Sequence, residues 1–180
     1  MPGPAFLRSE AVTLRPVNAD CDDDVQAIQR AINNPNTRRP MGLTDPHSAQ
    51  SERAWLQDLD DREDHILLFI ATDENTPVGN VELFDIDHCH GRAELGCWVY
   101  EPHRGQGYAT AACQLMLRYA FTELRLHRVD AVVYDTNDAS QALIETLGFA
   151  HEGVKREFGY LDGEFVDQHQ YGILGSEFSG

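Results

Sequence analysis

A chain of 180 residues with 42% hydrophobic side chains can bury one sizeable core and is too apolar to be disordered. Thirty acidic residues against 14 basic ones leave a net charge of −16, which opposes binding to nucleic-acid phosphates. No apolar run approaches the ~20 residues of a membrane span and no basic-then-apolar leader is present, so we expect a single cytoplasmic domain over 1–180 with no membrane partner.

In chain order, the alternation of Ala11–Val17 reads as a strand. Residues 18–34 read as a helix with acids in the first turn and Val25, Ile28 and Ile32 along one face. The breaker "NPNTRRPMG" separates it from a second helix over Ser48–Asp60, with Ala54 and Trp55 as its apolar positions. Strands follow over 65–72 and 78–86 around a turn at 73–77, and "DHCHGR" turns the chain into a further strand, "AELGCWVY".

A glycine-rich stretch opens a helix from Gly107 to Leu124, with Ala109, Ala112, Met116 and Ala120 at helical spacing toward the sheet. "HRVDAVVYD" is the next strand, and a short helix begins at Asn137 or Asp138 and stops before Gly148. Two strands around "LDGE" close the chain, ahead of a polar, frayed tail over 175–180. The fold class is therefore α/β, a mixed α+β sheet in the order β-α-α-β-β-β-α-β-α-β-β. The strands of "AELGCWVY" and "HRVDAVVYD" are parallel neighbours across a helical crossover.

Two composition features invite a functional reading. Cys21, Cys89, Cys97 and Cys113 are scattered without a Cys-x-x-Cys pair, so neither a disulfide framework nor a metal site is expected. His88, Cys89 and His90 sit at a hairpin tip with nothing nearby to complete a four-ligand set. The acidic surplus could attract a cationic amine, or could keep the surface hydrated in a high-salt cytoplasm. Its spread through "DCDDD", "DLDDRED" and "DTNDAS", together with Lys155 as the sole lysine, points to salt adaptation, a halophilic character. At molar salt the Debye length is about 3 Å, so long-range steering would be weak.

The stretch "YEPHRGQGYATAA" carries the strongest chemical signal. Glycines beside an arginine at a helix start leave backbone N–H groups free at a positive dipole end, which suits a pyrophosphate. It lacks the third glycine of G-x-G-x-x-G and is not G-x-x-x-x-G-K-[ST]. Arg104-Gly105-Gln106-Gly107-Tyr108-Ala109 fits [QR]-x-x-G-x-[GA] instead. This pattern resembles the acyl-CoA signature of the GNAT acetyltransferases. "LHR", "NDAS" and "GFAHEG" downstream, with "LRP" in the first strand, resemble the ribosomal-protein N-terminal acetyltransferase (RimJ/RimL-type) branch over about Val12–Leu174.

The resemblance implies a GNAT-like acyl-CoA N-acyltransferase fold, acetyl-CoA as co-substrate and direct attack of an amine on the thioester. It places carbonyl-polarising N–H groups around Trp98 and Val99, beside Gly96. It puts the pyrophosphate on the N–H groups of Arg104, Gly105, Gln106, Gly107, Tyr108 and Ala109, with Asn137 reaching the cofactor from the other wall. Glu94 is the first candidate for the base and Glu82 the second. The tyrosine that many members place four residues before the "GF" glycine is Ile144 here, and Ser140 stands where some RimL-like enzymes keep their acid. Gly159 stands where those enzymes carry a glutamate. Glu157, two residues earlier and on the same face by period two, could substitute. His127 is read as a positioning residue at a helix–strand junction. The acceptor expected is a protein N-terminal α-amine, with a polyamine or other small amine as the alternative. A non-catalytic acyl-CoA-binding module is the rival from another class. The exposed terminal hairpin could pair across a homodimer.

Overall fold

The computed structural model of the protein describes residues 4–72 and 76–180. The turn expected over 73–77 falls mainly on 73–75, outside the described residues. The elements are β1 (Leu7–Arg8), β2 (Thr13–Pro16), α1 (Asp22–Asn33), α2 (Pro35–Arg38), α3 (Ala49–Asp60), β3 (Ile66–Ala71), β4 (Pro77–Asp87) and β5 (Arg92–Val99). After these come α4 (Tyr108–Thr122), β6 (Arg128–Tyr134), α5 (Asp138–Thr146), β7 (Ala150–Leu161) and β8 (Glu164–Leu174). All the strands join one mixed sheet in the order β1-β2-β3-β4-β5-β6-β8-β7. The expected order holds, with two additions. The two-residue β1 pairs Leu7 with Leu14, and the breaker winds into the single turn of α2, capped by the Asn34 side chain with Pro35 in its first turn.

The sheet is covered on both faces, which explains the unbroken apolar run of β3. Leu68 and Ile70 face a core completed by α4 and α5, while Leu67 and Phe69 face a second core under α1 and α3. Such fully buried side chains contribute about 1.5–3 kcal/mol each. In α4, Ala112, Met116 and Ala120 are fully buried as their spacing predicts; the small residues let the helix lie close to β4 and β5. Ala109 is only half-buried, because it stands in the first turn at the sheet's open end.

Three expectations need correction. In α3 it is Glu52, Leu56 and Leu59 that are buried, at i, i+4 and i+7, while Ala54 and Trp55 are exposed. Glu52 is tolerated inside because it binds His47 Nδ1 at 2.6 Å. The tail is docked rather than frayed: the Gly175 N–H donates to His127 O, and Phe178 packs 5.5 Å from the Phe121 ring centroid. In β7 the register slips between Lys155↔Gln168 and Gly159↔Val166, a bulge that breaks the period-two relation assumed for Glu157 and Gly159. Glu157 adopts φ 51° there and donates its N–H to Asp167. The hairpin beyond the bulge leaves Phe158, Tyr160 and Phe165 exposed.

One buried ion pair ties the two halves of the N-terminal region. The Arg15 guanidinium of β2 binds both Asp24 oxygens of α1 at 2.8 Å, with side-chain exposures of 2% and 4%. Asp24 also accepts from the Asn18 N–H, and Arg15 lies 4.7 Å over the Phe69 ring. Removing one partner strands the other charge in the core. Asp24→Ala should lower unfolding free energy by about 3–5 kcal/mol, read from urea denaturation.

Candidate active site

The parallel ladder between β5 and β6 is short. It holds at Arg92↔Arg128, Ala93↔Val129 and Glu94↔Asp130, whereas β4 follows β5 as far as Gly79↔Val99. Beyond Glu94 one edge of β5 therefore has no strand partner among the described residues. Strand alternation decides which peptide groups face that opening. The Tyr100 N–H donates to Val78 O and the Trp98 carbonyl lies against Gly79, so Trp98 and Tyr100 turn their backbone groups toward β4. Cys97 and Val99 turn theirs to the opening. Of the two residues expected to polarise a carbonyl, Val99 is oriented for it and Trp98 is not. The Trp98 indole Nε1 is buried on the α1–α3 side of the sheet, without a hydrogen-bond partner among the described residues.

The opening leads into a cleft of about 650 Å³. It gathers Glu82, Glu94, Gly96, Trp98, Val99, the whole of Arg104–Ala109, Asn137 and Ser140. Gly105 and Gly107 have φ of 75° and 79°, the left-handed region that favours glycine, and a Cβ at either would meet nothing within 4 Å. Backbone conformation and open space, not crowding, set the requirement. Gly107 is also the N-cap of α4 and supplies no side-chain cap, so the first-turn N–H groups stay available to an anion. The cradle and the free β5 edge fit the diphosphate and the amide arm of acetyl-CoA. The Arg104 guanidinium donates to Val99 O and Asn36 O, both at 3.0 Å, tying the loop to β5 and α2.

On the far wall Asn137 caps α5, its side chain accepting from the Ser140 N–H at 3.1 Å. Ser140 is half-buried and lines the cleft. Ile144 is buried core. Glu157 is not among the lining residues; the β7 bulge carries it away. Gly159 has a steric reason for its identity, since a Cβ there would lie 2.5 Å from Tyr134 Cε1. The glycine makes room for a tyrosine that lines the cleft and reaches Gly42 with its hydroxyl. Tyr134 was not singled out from sequence, because its neighbour 25 positions away becomes visible only once β6, β8 and β7 are laid side by side.

The face of the sheet opposite α4 holds the acids. Glu82 pairs with Gly96 and Phe84 with Glu94, so the two carboxylates are diagonal neighbours on one face. Glu94 is half-buried, and its carboxyl is pushed above its ordinary range by that burial and then by Asp85 and Asp130, with a smaller push from Glu82 and a pull the other way from Lys155. The Glu82 side chain lies across Gly96, where a Cβ would come within 2.7 Å of Oε1 and 2.8 Å of Cγ. Its Oε2 is 2.7 Å from His65 Nε2. His65 precedes β3 and is a site-adjacent residue that sequence reasoning missed. The signal was there in the two-residue period from His65 through Leu67, which pairs with Glu82, but it needs the β3–β4 register to be read.

Two other clusters lie outside the cleft. At the β4–β5 hairpin tip Asp87, Cys89 and His90 bring donor atoms within 4.8 Å of one another. The Asp87 carboxylate is already engaged by the His90 N–H and Nδ1, both at 2.9 Å, and by Arg92 at 3.5 Å. Arg128 forks between Asp130 and Glu152, and the exposed His127 holds the junction through backbone bonds to Gly91 and Gly175. Among the described residues no helix is long and apolar enough to cross a membrane.

Fold and cleft define a class, an acyltransferase that draws its acyl group from coenzyme A. Residues 11–150 match the acetyltransferase (GNAT) domain, and the chain belongs to that family. It is 31% identical over 173 residues to the SPbeta prophage-derived uncharacterized N-acetyltransferase YokL of Bacillus subtilis strain 168, covering 96% of this chain and 95% of that one. Over 102 residues, 57% of this chain and 56% of the other, it is 36% identical to the "Putative ribosomal N-acetyltransferase YdaF" of the same organism. Among solved structures, spermidine N-acetyltransferase from Vibrio cholerae in complex with CoA and spermine superposes with a TM-score of 0.87 at 25% identity, covering 94% of this chain and 98% of that one. The chain is thus an acetyl-CoA-dependent N-acetyltransferase, which sets aside the non-catalytic module.

Gly107→Leu adds a side chain to the cradle and forces it into a left-handed φ, a strain of about 1–2 kcal/mol. Isothermal titration should show acetyl-CoA affinity reduced by at least about tenfold, which corresponds to ~1.4 kcal/mol, while the far-ultraviolet dichroism of the fold is kept. Unchanged affinity would remove the loop from the site. For Glu94, a carboxyl pKa raised on folding means the native state holds its proton more tightly than the unfolded chain. Its contribution to stability is present at low pH and is lost as pH rises through the raised native pKa. Glu94→Gln should therefore raise the melting temperature at pH 8 and leave it unchanged near pH 3.

Proposed function

We propose that the chain acetylates a primary amine of a small polycationic acceptor, a polyamine being the model case. The observation that carries this is the carboxylate group at the opening: Glu82 and Glu94 line the cleft, with Asp85 and Asp130 close enough to raise the Glu94 carboxyl. Half-buried acids held this near one another repel, and a ligand with two or more ammonium groups relieves that repulsion. The resemblance to a spermidine N-acetyltransferase that binds spermine supports the same acceptor class.

The residues divide the work as follows. The α4 N-terminus and the Gly105–Gly107 backbone hold the diphosphate, and the open edge of β5 holds the amide arm. Acetyl-CoA supplies a thioester already activated toward amines. The Val99 N–H polarises the carbonyl. Glu82 and Glu94 hold the ammonium and offer a carboxylate to its proton. An amine of this kind titrates near about 10, so a base is required at neutral pH. Ser140 hands a proton to the departing thiolate.

A protein N-terminal α-amine is the second reading. It is favoured by Ser140, which faces the cleft from the "NDAS" turn as the RimJ/RimL-type resemblance implies, and by the partial likeness to YdaF. Such an amine titrates near about 8 and needs less help from a base. Thiol release from acetyl-CoA, with spermidine, spermine, peptides bearing free N-termini and blocked lysine peptides compared in potassium chloride, tests the choice. The expected result is release with the polyamines at a kcat/KM at least about tenfold above any peptide, a difference of ~1.4 kcal/mol in transition-state binding. Release with free-N-terminal peptides alone would replace the first reading by the second.

A further inference from the structure

We propose that Glu82, rather than Glu94, takes the proton from the attacking amine, and that His65 is its positioning residue. This rests on the reading of the chain as an amine acetyltransferase and deepens it. Glu82 is the carboxylate whose geometry is fixed. One oxygen is held by His65 Nε2 at 2.7 Å, while the other lies over Gly96, beside the β5 edge that β6 leaves open. An ionised carboxylate only accepts hydrogen bonds, so the contact puts the imidazole proton on Nε2 and leaves Oε1 free for the amine. Glu94, by contrast, has no hydrogen-bond partner among the described residues that aims it, and its neighbours Asp85 and Asp130 disfavour its charged form.

His65 is itself immobilised. Its ring sits between the Trp55 edge at 6.3 Å and the Phe84 ring at 5.9 Å, with a side-chain exposure of 11% against 14% for Glu82. This packing accounts for two features otherwise unexplained. Trp55 is left off the buried face of α3 yet meets His65, and Gly96 lacks the Cβ that would push Glu82 out of place. Two residue types that look incidental in sequence serve one carboxylate.

The step balances simply. As the amine nitrogen bonds to the acetyl carbon, an N–H bond breaks and an O–H bond forms at Glu82 Oε1. The C–S bond then breaks, and the thiolate leaves with a proton from Ser140, which is replenished from Glu82 through solvent. An acceptor that arrives as an ammonium ion releases one further proton to water. The charged groups around the pair are Asp64 beside His65, with its partner Arg62, and Glu94, with Asp85, Asp130 and Lys155 acting on Glu94.

The test compares Glu82→Gln, Glu94→Gln, His65→Ala, His65→Gln and Gly96→Ala with the wild type, using saturating acetyl-CoA and whichever amine the wild type turns over. Glu82→Gln should lose about 10²–10³-fold in kcat with acetyl-CoA affinity by calorimetry unchanged. Glu94→Gln should raise KM for a polyamine more than it lowers kcat. His65→Ala should lose about 10- to 100-fold, the worth of a hydrogen bond to a charged group. The loss should fall on kcat with KM for the amine held, because the carboxylate stays in the site but is no longer aimed. His65→Gln keeps a nitrogen donor at similar reach and should restore most of the rate. Gly96→Ala keeps both residues yet displaces Glu82, and should lose rate in the manner of His65→Ala. Independently of turnover, nitrogen NMR should show the hydrogen-bonded Nε2–H tautomer of His65 in the wild type and its loss in Glu82→Gln. Wild-type kcat in Glu82→Gln or in His65→Ala would overturn the proposal. Wild-type turnover of peptides in place of polyamines would overturn only the acceptor, and the same variants assayed on those peptides would still decide the pair.

Discussion

The structure depends on a parallel strand pair that stops early. Three registered pairs hold β5 to β6, and then β5 goes on with β4 alone. A sheet that parts in its middle leaves unpaired peptide groups where the core would otherwise be continuous, and buried peptide groups left unpaired are costly. Here they border an open cleft, where water, or a ligand with amide groups of its own, can pair with them. The crossover helix α4 begins at the same gap, with a glycine N-cap that leaves its first-turn N–H groups free of a side-chain cap. Opening, cradle and cleft are consequences of one truncated ladder.

Two faces of the sheet then take different tasks. The α4–α5 face packs a continuous apolar core and carries the glycine loop at its rim, while the α1–α3 face carries the acids of the cleft. Steric absence shapes that second face as much as any side chain. Gly96 yields its space to Glu82, and Gly159 yields its space to Tyr134. Gly159 looks like a departure from a functional pattern when read alone, yet like Gly96 it makes room for a neighbour. The Arg15–Asp24 pair matters here as well, because it sets α1 against β2 and so fixes the roof under which α2 and Met41 approach the cleft.

Most of the element order was legible because each signal is local: alternation in β2 and β4, small residues at helical spacing in α4, glycines at the loop. The glycine loop at the start of α4 was legible for the same reason, being six consecutive residues. What escaped is non-local or depends on register. Trp55 looked buried because it is apolar, yet its helix buries Glu52, whose charge is met by His47 from outside the helix. Glu157 looked equivalent to Gly159 because period two was assumed across residues that form a bulge. His65 shares the two-residue period of β3, but its partner Glu82 is found only from the β3–β4 register. The tail looked polar, and one aromatic, Phe178, sufficed to dock it.

The charge of −16 illustrates how little a global quantity says about a site. In dilute buffer it would draw any cation toward the surface, polyamine or not. At high salt that field collapses within about 3 Å, and only charges in near contact still act. Glu82 and Glu94 are partly shielded from solvent and sit on one small stretch of sheet, so their effect on a bound ammonium survives where the surface field does not. An acidic surface and an acidic site are thus separate properties with separate physical causes. On the proposed reading, acceptor choice lies with the few half-buried carboxylates beside the parted strands, whatever the surface is adapted to.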